Sequence, residues 1–275
     1  MIHIVTDSSA DLPKALLEKY HITTVPLTIE LDGEEYLEGI DISSQEFFKR
    51  MFLSEDLPKT SQPSPLAFAN AFNQLAKEEE VLCLTISSGL SGTYQSALLG
   101  KDMCQGTVEV FDTLGGSLAH GILVLRAAKL AQAGWTMEKI IGELRRYQEG
   151  MEIFILLDTL ENIVKGGRLN KFSGSLAKLL NIKVILEGKK GKVEILERIR
   201  GKKKTLNRML NLIQERKKDF SNITFGITHV DNLEDVEYIK NEILRRFQPK
   251  DIIINDMGAT MGTYAGKGGM IISFL

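Results

Sequence analysis

The sequence predicts an α/β protein of two domains, residues 1–152 with a parallel sheet flanked by helices and residues 153–275 an α/β domain with a mixed sheet. Three observations carry that expectation. The chain has 275 residues, 43% hydrophobic and 25% charged, which is ordinary for a globular protein and long enough for two medium-sized cores. Short β-branched runs alternate with longer stretches of helical period through the first half, the pattern of a parallel sheet covered by helices. The composition then shifts at "MEIFILLDTLENIVKGGRLN", and beyond it two strand-like runs, "IKVILEG" and "KVEILERI", are parted by "KKG", which points to a hairpin and antiparallel pairing.

The elements follow in order. "IHIV" reads as a first strand, "DLPKALLEKY" as a helix and "ITTVPLTIEL" as a second strand. In "DISSQEFFKRMF", Ser43 and Glu46 have the spacing of a capping box at a helix start. "SEDLPKTSQPSP" holds Pro58, Pro63 and Pro65, so it should be a stiff, extended loop, since each proline fixes its own φ and biases the preceding residue away from helix. Ser64 and Pro65 then suit the cap and first turn of a helix with Phe68, Phe72, Leu75 and Ala76 on its apolar face. Strand "VLCLTI", a helix from about Gly92, strand "TVEVF" and a helical region 118–148 broken near "AGWT" complete the first half. The second half adds a helix over 203–218, strand "NITFGITH", a helix over 233–247 and strand "DIIIND".

Bulk charge and motifs exclude several classes of function. The net charge is -2 with the signs interspersed, so no global field holds nucleic acid or an acidic membrane surface. The start "MIHIVTDSSADL" lacks the basic and apolar regions of a signal peptide, and no run approaches a membrane span. Cys83 and Cys104 lack CxxC spacing and read as reduced core thiols, so a cytoplasmic location is expected. A phosphate-binding P-loop is excluded because Met261 stands where its first glycine should be and Gly268 follows Lys267. "TDSSADL" contains no glycine and cannot be a dinucleotide fingerprint. No metal site is expected, because His3, His21, His120 and His229 are scattered.

What remains is a repeated placing of hydroxyls at the carboxyl ends of strands, where ligands of parallel sheets bind. Thr6, Ser8 and Ser9 follow the first strand, Ser87, Ser88, Ser91 and Thr93 follow "VLCLTI", and Thr113 follows "TVEVF", while Thr60 and Ser61 sit in the stiff loop. Helix capping asks for the same residue types, and for Ser8, Ser9 and Thr113, beside Asp7 and Asp112, it is the expected role. The Ser91-Gly92-Thr93 turn has more hydroxyls than capping needs. Neutral hydroxyls and free amides at a helix start suit a small anion, a phosphate or a carboxylate. Ser91 as a nucleophile is the alternative, a hydrolase or a phosphotransferase. "GLSG" lacks the GxSxG elbow, however, and only His229 is available as a base. Asp7, Asp112 and Asp158 each follow an apolar strand, as caps or as phosphotransfer groups. Arg168 of "KGGRLN" is either solvated or ligand-facing, and "RIRGKKKTLNR" is either a solvated helix start or a docking patch.

Five ordered motifs, "TDSSADL", "TSQPSP", "ISSGLSGTYQSA", "GGRL" and "GATMGTYAGKGG", span the chain and are similar to those of the DegV family of bacterial fatty-acid-binding proteins. The resemblance implies a two-domain α/β fold that buries a long acyl chain, such as palmitate, and has no catalysis and no cofactor of its own. It implies a carboxylate bound by Thr60 and the neighbouring Ser61, by Ser91, by the amide of Gly92 and by Arg168, with Thr263 and Tyr264 of the closing motif nearby. The family commonly carries a histidine at that last position; Tyr264 supplies a hydroxyl and no imidazole. Some members are the acyl-carrying subunit of a fatty acid kinase, which would make Arg200, Lys202, Lys203 and Lys204 the docking residues for a kinase partner. Burial of about fourteen methylenes contributes on the order of 11 kcal/mol before the costs of association, against about 1 to 3 kcal/mol for each charge-assisted head-group bond. The tail should therefore supply affinity and the head group selection.

Overall fold

The computed structural model of the chain describes residues 1–76, 79–169 and 182–275. The first half runs β1 (Ile2–Asp7), α1 (Lys14–Lys19), β2 (Thr23–Val25), β3 (Thr28–Leu31), β4 (Glu34–Leu37), α2 (Ser44–Met51), β5 (Lys59–Ser61), α3 (Pro65–Leu75), β6 (Glu80–Thr85), α4 (Thr93–Asp102) and β7 (Val108–Asp112). Two helices, α5 (Leu118–Gln132) and α6 (Met137–Glu149), lead to β8 (Glu152–Leu157) and α7 (Glu161–Lys165). The remainder is β9 (Ile182–Lys189), β10 (Lys192–Arg200), α8 (Lys202–Arg216), β11 (Thr224–His229), α9 (Leu233–Phe247), β12 (Asp251–Asp256), α10 (Ala259–Ala265) and β13 (Met270–Phe274).

Strands β2-β1-β6-β7 form a wholly parallel sheet, and β10-β9-β8-β13-β11-β12 form a mixed one in which only β11 and β12 run parallel. The α/β class with one parallel and one mixed sheet is thus as the alternation and the hairpin predict. Local signals also hold. Ser43 accepts from the Glu46 amide at 3.2 Å and Ser64 from the Ala67 amide at 3.1 Å, while Gly134 with φ +76° parts α5 from α6.

Several strands, β4 (Glu34–Leu37) among them, depart from expectation. "ITTVPLTIEL" is two strands, because Pro26 has no amide to continue a ladder: β2 joins β1, whereas β3 turns away into a small antiparallel sheet β4-β3-β5. The stiff loop contributes β5 to that sheet, with Thr60 opposite Ile29. The second half does not end with "DIIIND": Met270–Phe274 form β13, central in the mixed sheet and buried at all five positions. Burial on both faces leaves no alternation to read.

Helix α5 joins the two sheets. Eleven of its fifteen residues are buried, with only Arg126, Lys129, Ala131 and Gln132 reaching solvent, and it packs on β1 and β6 as well as on β11 and β13. Close approach is possible because β11 carries Gly226 under the helix, where a Cβ would lie 2.5 Å from the Leu118 Cβ and 3.1 Å from Ile122. Gly226→Ala should therefore cost about 1 to 3 kcal/mol of stability by overpacking. A urea titration reads this as a lower midpoint at unchanged slope; an unmoved midpoint would contradict the contact.

Candidate functional site

Most of the hydroxyls at the strand ends are engaged in structure. The Asp7 carboxylate caps the turn after β1, accepting from the Ser9 amide at 3.0 Å, and reaches β6 by accepting from the Ile86 amide at 2.8 Å. Thr113 donates to the Thr85 carbonyl at 2.7 Å, and Asp112 accepts from the amides of Leu114 and Ser88 at 3.0 and 3.2 Å. Ser87 donates to the carbonyl of Gly191 at 2.7 Å, fastening the β9–β10 turn to the loop after β6. The burial of Cys83 pushes its thiol well above the ordinary range, which makes it inert.

Ser91, Gly92 and Thr60 converge elsewhere, at the polar end of a cavity of about 380 Å³. The loop after β6 turns back on itself through the Leu90 and Ser91 amides, which donate to the Ser87 carbonyl, and so presents Ser91 just before α4. The Ser91 hydroxyl lies 2.9 Å from that of Thr93. Gly92 has no side chain because Gln62 rests there: a Cβ would overlap the Gln62 amide oxygen. Opposite, Thr60 on β5 and Tyr264 on α10 bring their hydroxyl oxygens to 2.6 Å. Arg168, just past α7, places its guanidinium 4.7 Å over the Tyr264 ring. It donates to the Gly166 carbonyl at 2.6 Å and to the Leu90 carbonyl, beside Ser91, at 3.4 Å. Among the described residues no carboxylate pairs with Arg168.

Behind this end the walls are apolar. Leu27, Ile86 and Leu90 come from the first half, Ile155, Leu157 and Ile163 from β8 and α7, and Val193, Met261, Ala265 and Ile271 from the later elements. The volume falls within the roughly 300 to 1,000 Å³ of small-molecule sites. Thr60, Arg168 and Tyr264 also border an outer cleft of about 650 Å³ edged by Lys59, Lys165 and the acids Glu30, Asp32, Glu55 and Asp56. These three residues are shared by the apolar chamber and the outer cleft.

Of the residues singled out in the sequence, Thr60, Ser61, Ser91, Gly92, Arg168 and Tyr264 line this cavity. Thr263 does not: it is buried, and its hydroxyl donates to the Ala259 carbonyl at 2.8 Å within α10, while its own carbonyl accepts from Asn162 at 2.9 Å. One helical step from Tyr264, about 100° around the axis, turns it away from the cavity. Gln62 and Thr260 line the cavity without having been singled out, although Gln62 stands inside "TSQPSP". His229 is remote from Ser91: it accepts from the Asn232 amide at 3.4 Å, lies 3.6 Å from Asp256, and burial lowers its pKa. Among the described residues no imidazole or carboxylate lines the cavity beside Ser91. Asp158 pairs with Lys183. In the basic run, Lys202 is bound to Asp235 at 2.9 Å and Arg208 to Glu197 and Glu215 at 2.6 Å, whereas Arg198, Arg200, Lys203 and Lys204 are exposed.

Fold and site define an α/β protein with a largely apolar cavity that carries hydroxyls and one guanidinium at one end. The profile of the DegV family matches residues 1–275, and the chain belongs to that family. A DegV domain-containing protein of Caldanaerobacter subterraneus is 33% identical over 275 residues, covering 99% of this chain and 98% of that one. A solved DegV family protein from Thermus thermophilus, described by its fatty acid binding, superposes with a TM-score of 0.92 at 33% identity, covering 99% of this chain and 98% of that one. DegV of Bacillus subtilis, described as a fatty acid binding protein, superposes with a TM-score of 0.91 at 29% identity, covering 99% and 98%. Among the described residues no helix is long and apolar enough to cross a membrane.

The Tyr264 ring is held between Arg168 and Gly166, where a Cβ would overlap it. Gly166→Ala should move the ring off Thr60 and cost about 1 to 3 kcal/mol. A changed near-ultraviolet tyrosine dichroism together with a lower melting temperature is the expected reading; both unchanged would refute the packing.

Proposed function

We propose that the chain binds a long-chain fatty acid such as palmitate, its carboxylate at Thr60, Ser61, Ser91, the Gly92 amide, Arg168 and Tyr264, and its tail in the apolar chamber. The observation that carries this reading is the linked series Thr60–Tyr264–Arg168–Leu90 across one end of an otherwise apolar cavity. Neutral donors and one cation satisfy a carboxylate that must leave water, and the apolar walls supply the affinity. The fatty acid binding described for the relatives of Thermus thermophilus and Bacillus subtilis supports it. In this reading the protein is a cytoplasmic, two-domain carrier with the domains meeting near residue 152. The reading gives it the role of a carrier, without catalysis or a cofactor of its own.

A kinase partner is the finer part of the proposal. Arg200, Lys202, Lys203 and Lys204 stand exposed where β10 runs into α8, with Lys202 paired to Asp235. Arg200 lies roughly 23 Å along β10 from Val193, which lines the chamber, so docking there leaves the ligand end free.

Protein extracted with solvent after purification should release fatty acid detectable by mass spectrometry. Thr60→Ala with Ser91→Ala should weaken palmitate binding at least about tenfold, since each lost head-group bond costs about 1.5 to 3 kcal/mol. Unchanged binding would exclude this site. With a fatty acid kinase subunit, ATP and lipid, charge reversal at Lys203 and Lys204 should lower the rate of acyl phosphate formation; an unaltered rate would exclude the patch.

A further inference from the structure

Tyr264 sits near the end of α10, and the start of α10 is held by two buried acids that the ligand site does not use. Glu38, beyond β4, accepts from the Thr260 amide and from the Thr260 hydroxyl, each at 2.7 Å, and from the Ser8 hydroxyl at 2.5 Å. Asp11, at the end of "TDSSADL", accepts from the Gly258 amide at 2.9 Å and from the Ser117 hydroxyl at 2.6 Å. Both carboxylates close on Gly258, where a Cβ would stand 2.5 Å from Asp11 and 2.7 Å from Glu38. The Asn255 side chain donates to the Asp11 carbonyl at 2.9 Å and completes the hold.

This is a costly way to start a helix, for which one serine or aspartate suffices. Two acids are buried side by side, and Asp11 adopts a left-handed φ of +51°. Burial first, and the neighbouring acids after it, push both carboxyls above their ordinary range. The charged groups around them are Asp7 from the same turn and Asp256 at the end of β12, the latter beside His229. Asp7 meanwhile holds the Ile86 amide at 2.8 Å, at the root of the loop that carries Ser91. One short segment therefore fixes both sides of the head-group end: the Ser91 loop through Asp7, and α10 through Asp11 and, by way of Ser8, Glu38.

We propose that Asp11 and Glu38 are positioning residues for head-group selection: they fix the first turn of α10 so that Tyr264 meets Thr60, and thereby set the preference for a free acid over an uncharged analogue. The proposal rests on the fatty-acid reading. Because the tail is lined mainly by Ile86, Ile155, Leu157, Ile163 and Ile271, outside α10, loosening α10 should degrade selection far more than tail binding.

The test is competition of hexadecanoic acid and hexadecan-1-ol against a dansyl-undecanoic acid probe. The wild type should prefer the acid by at least about tenfold. In Glu38→Ala this ratio should collapse to within about threefold with the alcohol little affected, and Glu38→Gln, which keeps the shape and an acceptor for Thr260, should restore it. Acid and alcohol weakened equally, a ratio unchanged in Glu38→Ala, or a folded Glu38→Gln without rescue would each overturn the positioning role alone. A wild type that binds neither compound would overturn the fatty-acid reading and this inference with it. Should Glu38→Ala not fold, Ser8→Ala removes one donor to Glu38 at a residue outside the chamber lining and must lower the ratio in the same direction. Stability offers a second reading: raised carboxyls hold protons more tightly in the folded chain, so stability falls as pH rises from the ordinary carboxylate range through the raised values. Glu38→Gln should flatten that slope; an identical slope would show that Glu38 is not one of the groups strained by burial.

Discussion

A helix buried at eleven of its fifteen residues has to be covered on more than one side, and α5 is covered by the parallel sheet and by the mixed one. That single burial sets the distance and orientation of the two halves of the chain. Its tolerance is small, because Gly226 lies against Leu118 with no room for a methyl group. With the halves so placed, the loop after β6 and the β5 strand on one side face α7 and α10 on the other, and the chamber is the space left between them. The Thr60–Tyr264 contact, the Ser87 tie to Gly191 and the Asp11 and Glu38 hold on α10 all cross this junction.

The chamber divides its work by chemistry. The apolar walls offer a large and undirected free energy that grows with each buried methylene, and so cannot tell an acid from an alcohol. In the proposed reading directed donors at one end would do that, because an unpartnered carboxylate in a low-dielectric site is far more costly than a hydroxyl. Here the donors come from neutral groups and one arginine stacked on an aromatic ring. Such a set can accept an anion without holding so much charge that the empty site is strained.

The hydroxyl-rich strand ends serve two purposes in one architecture. Ser9, Ser87 and Thr113 close turns and join loops, whereas Ser91 and Thr60 face the chamber. Residue type does not separate the two, since a cap and a carboxylate site ask for the same donor chemistry. Position relative to the cavity does, and the same holds for Thr263 and Tyr264, adjacent in sequence but on different sides of α10.

The sequence by itself determined the local elements, because capping, proline and periodic burial act over a few residues: Ser43, Ser64 and the Lys189–Lys192 hairpin are where their spacing puts them. It also carried most of the polar end of the site, because hydroxyls, glycines and an arginine stand out from an ordinary core in a way that motifs can hold. Only the tertiary structure decided where β3, β5 and β13 pair, that Gln62 leans on Gly92, and that Tyr264 meets Thr60 from 204 residues away. It also decided which isoleucines and leucines line a chamber and which fill a core. Their chemistry is the same in either place, and a cavity is made by the surfaces that fail to touch, which no short stretch of chain can specify.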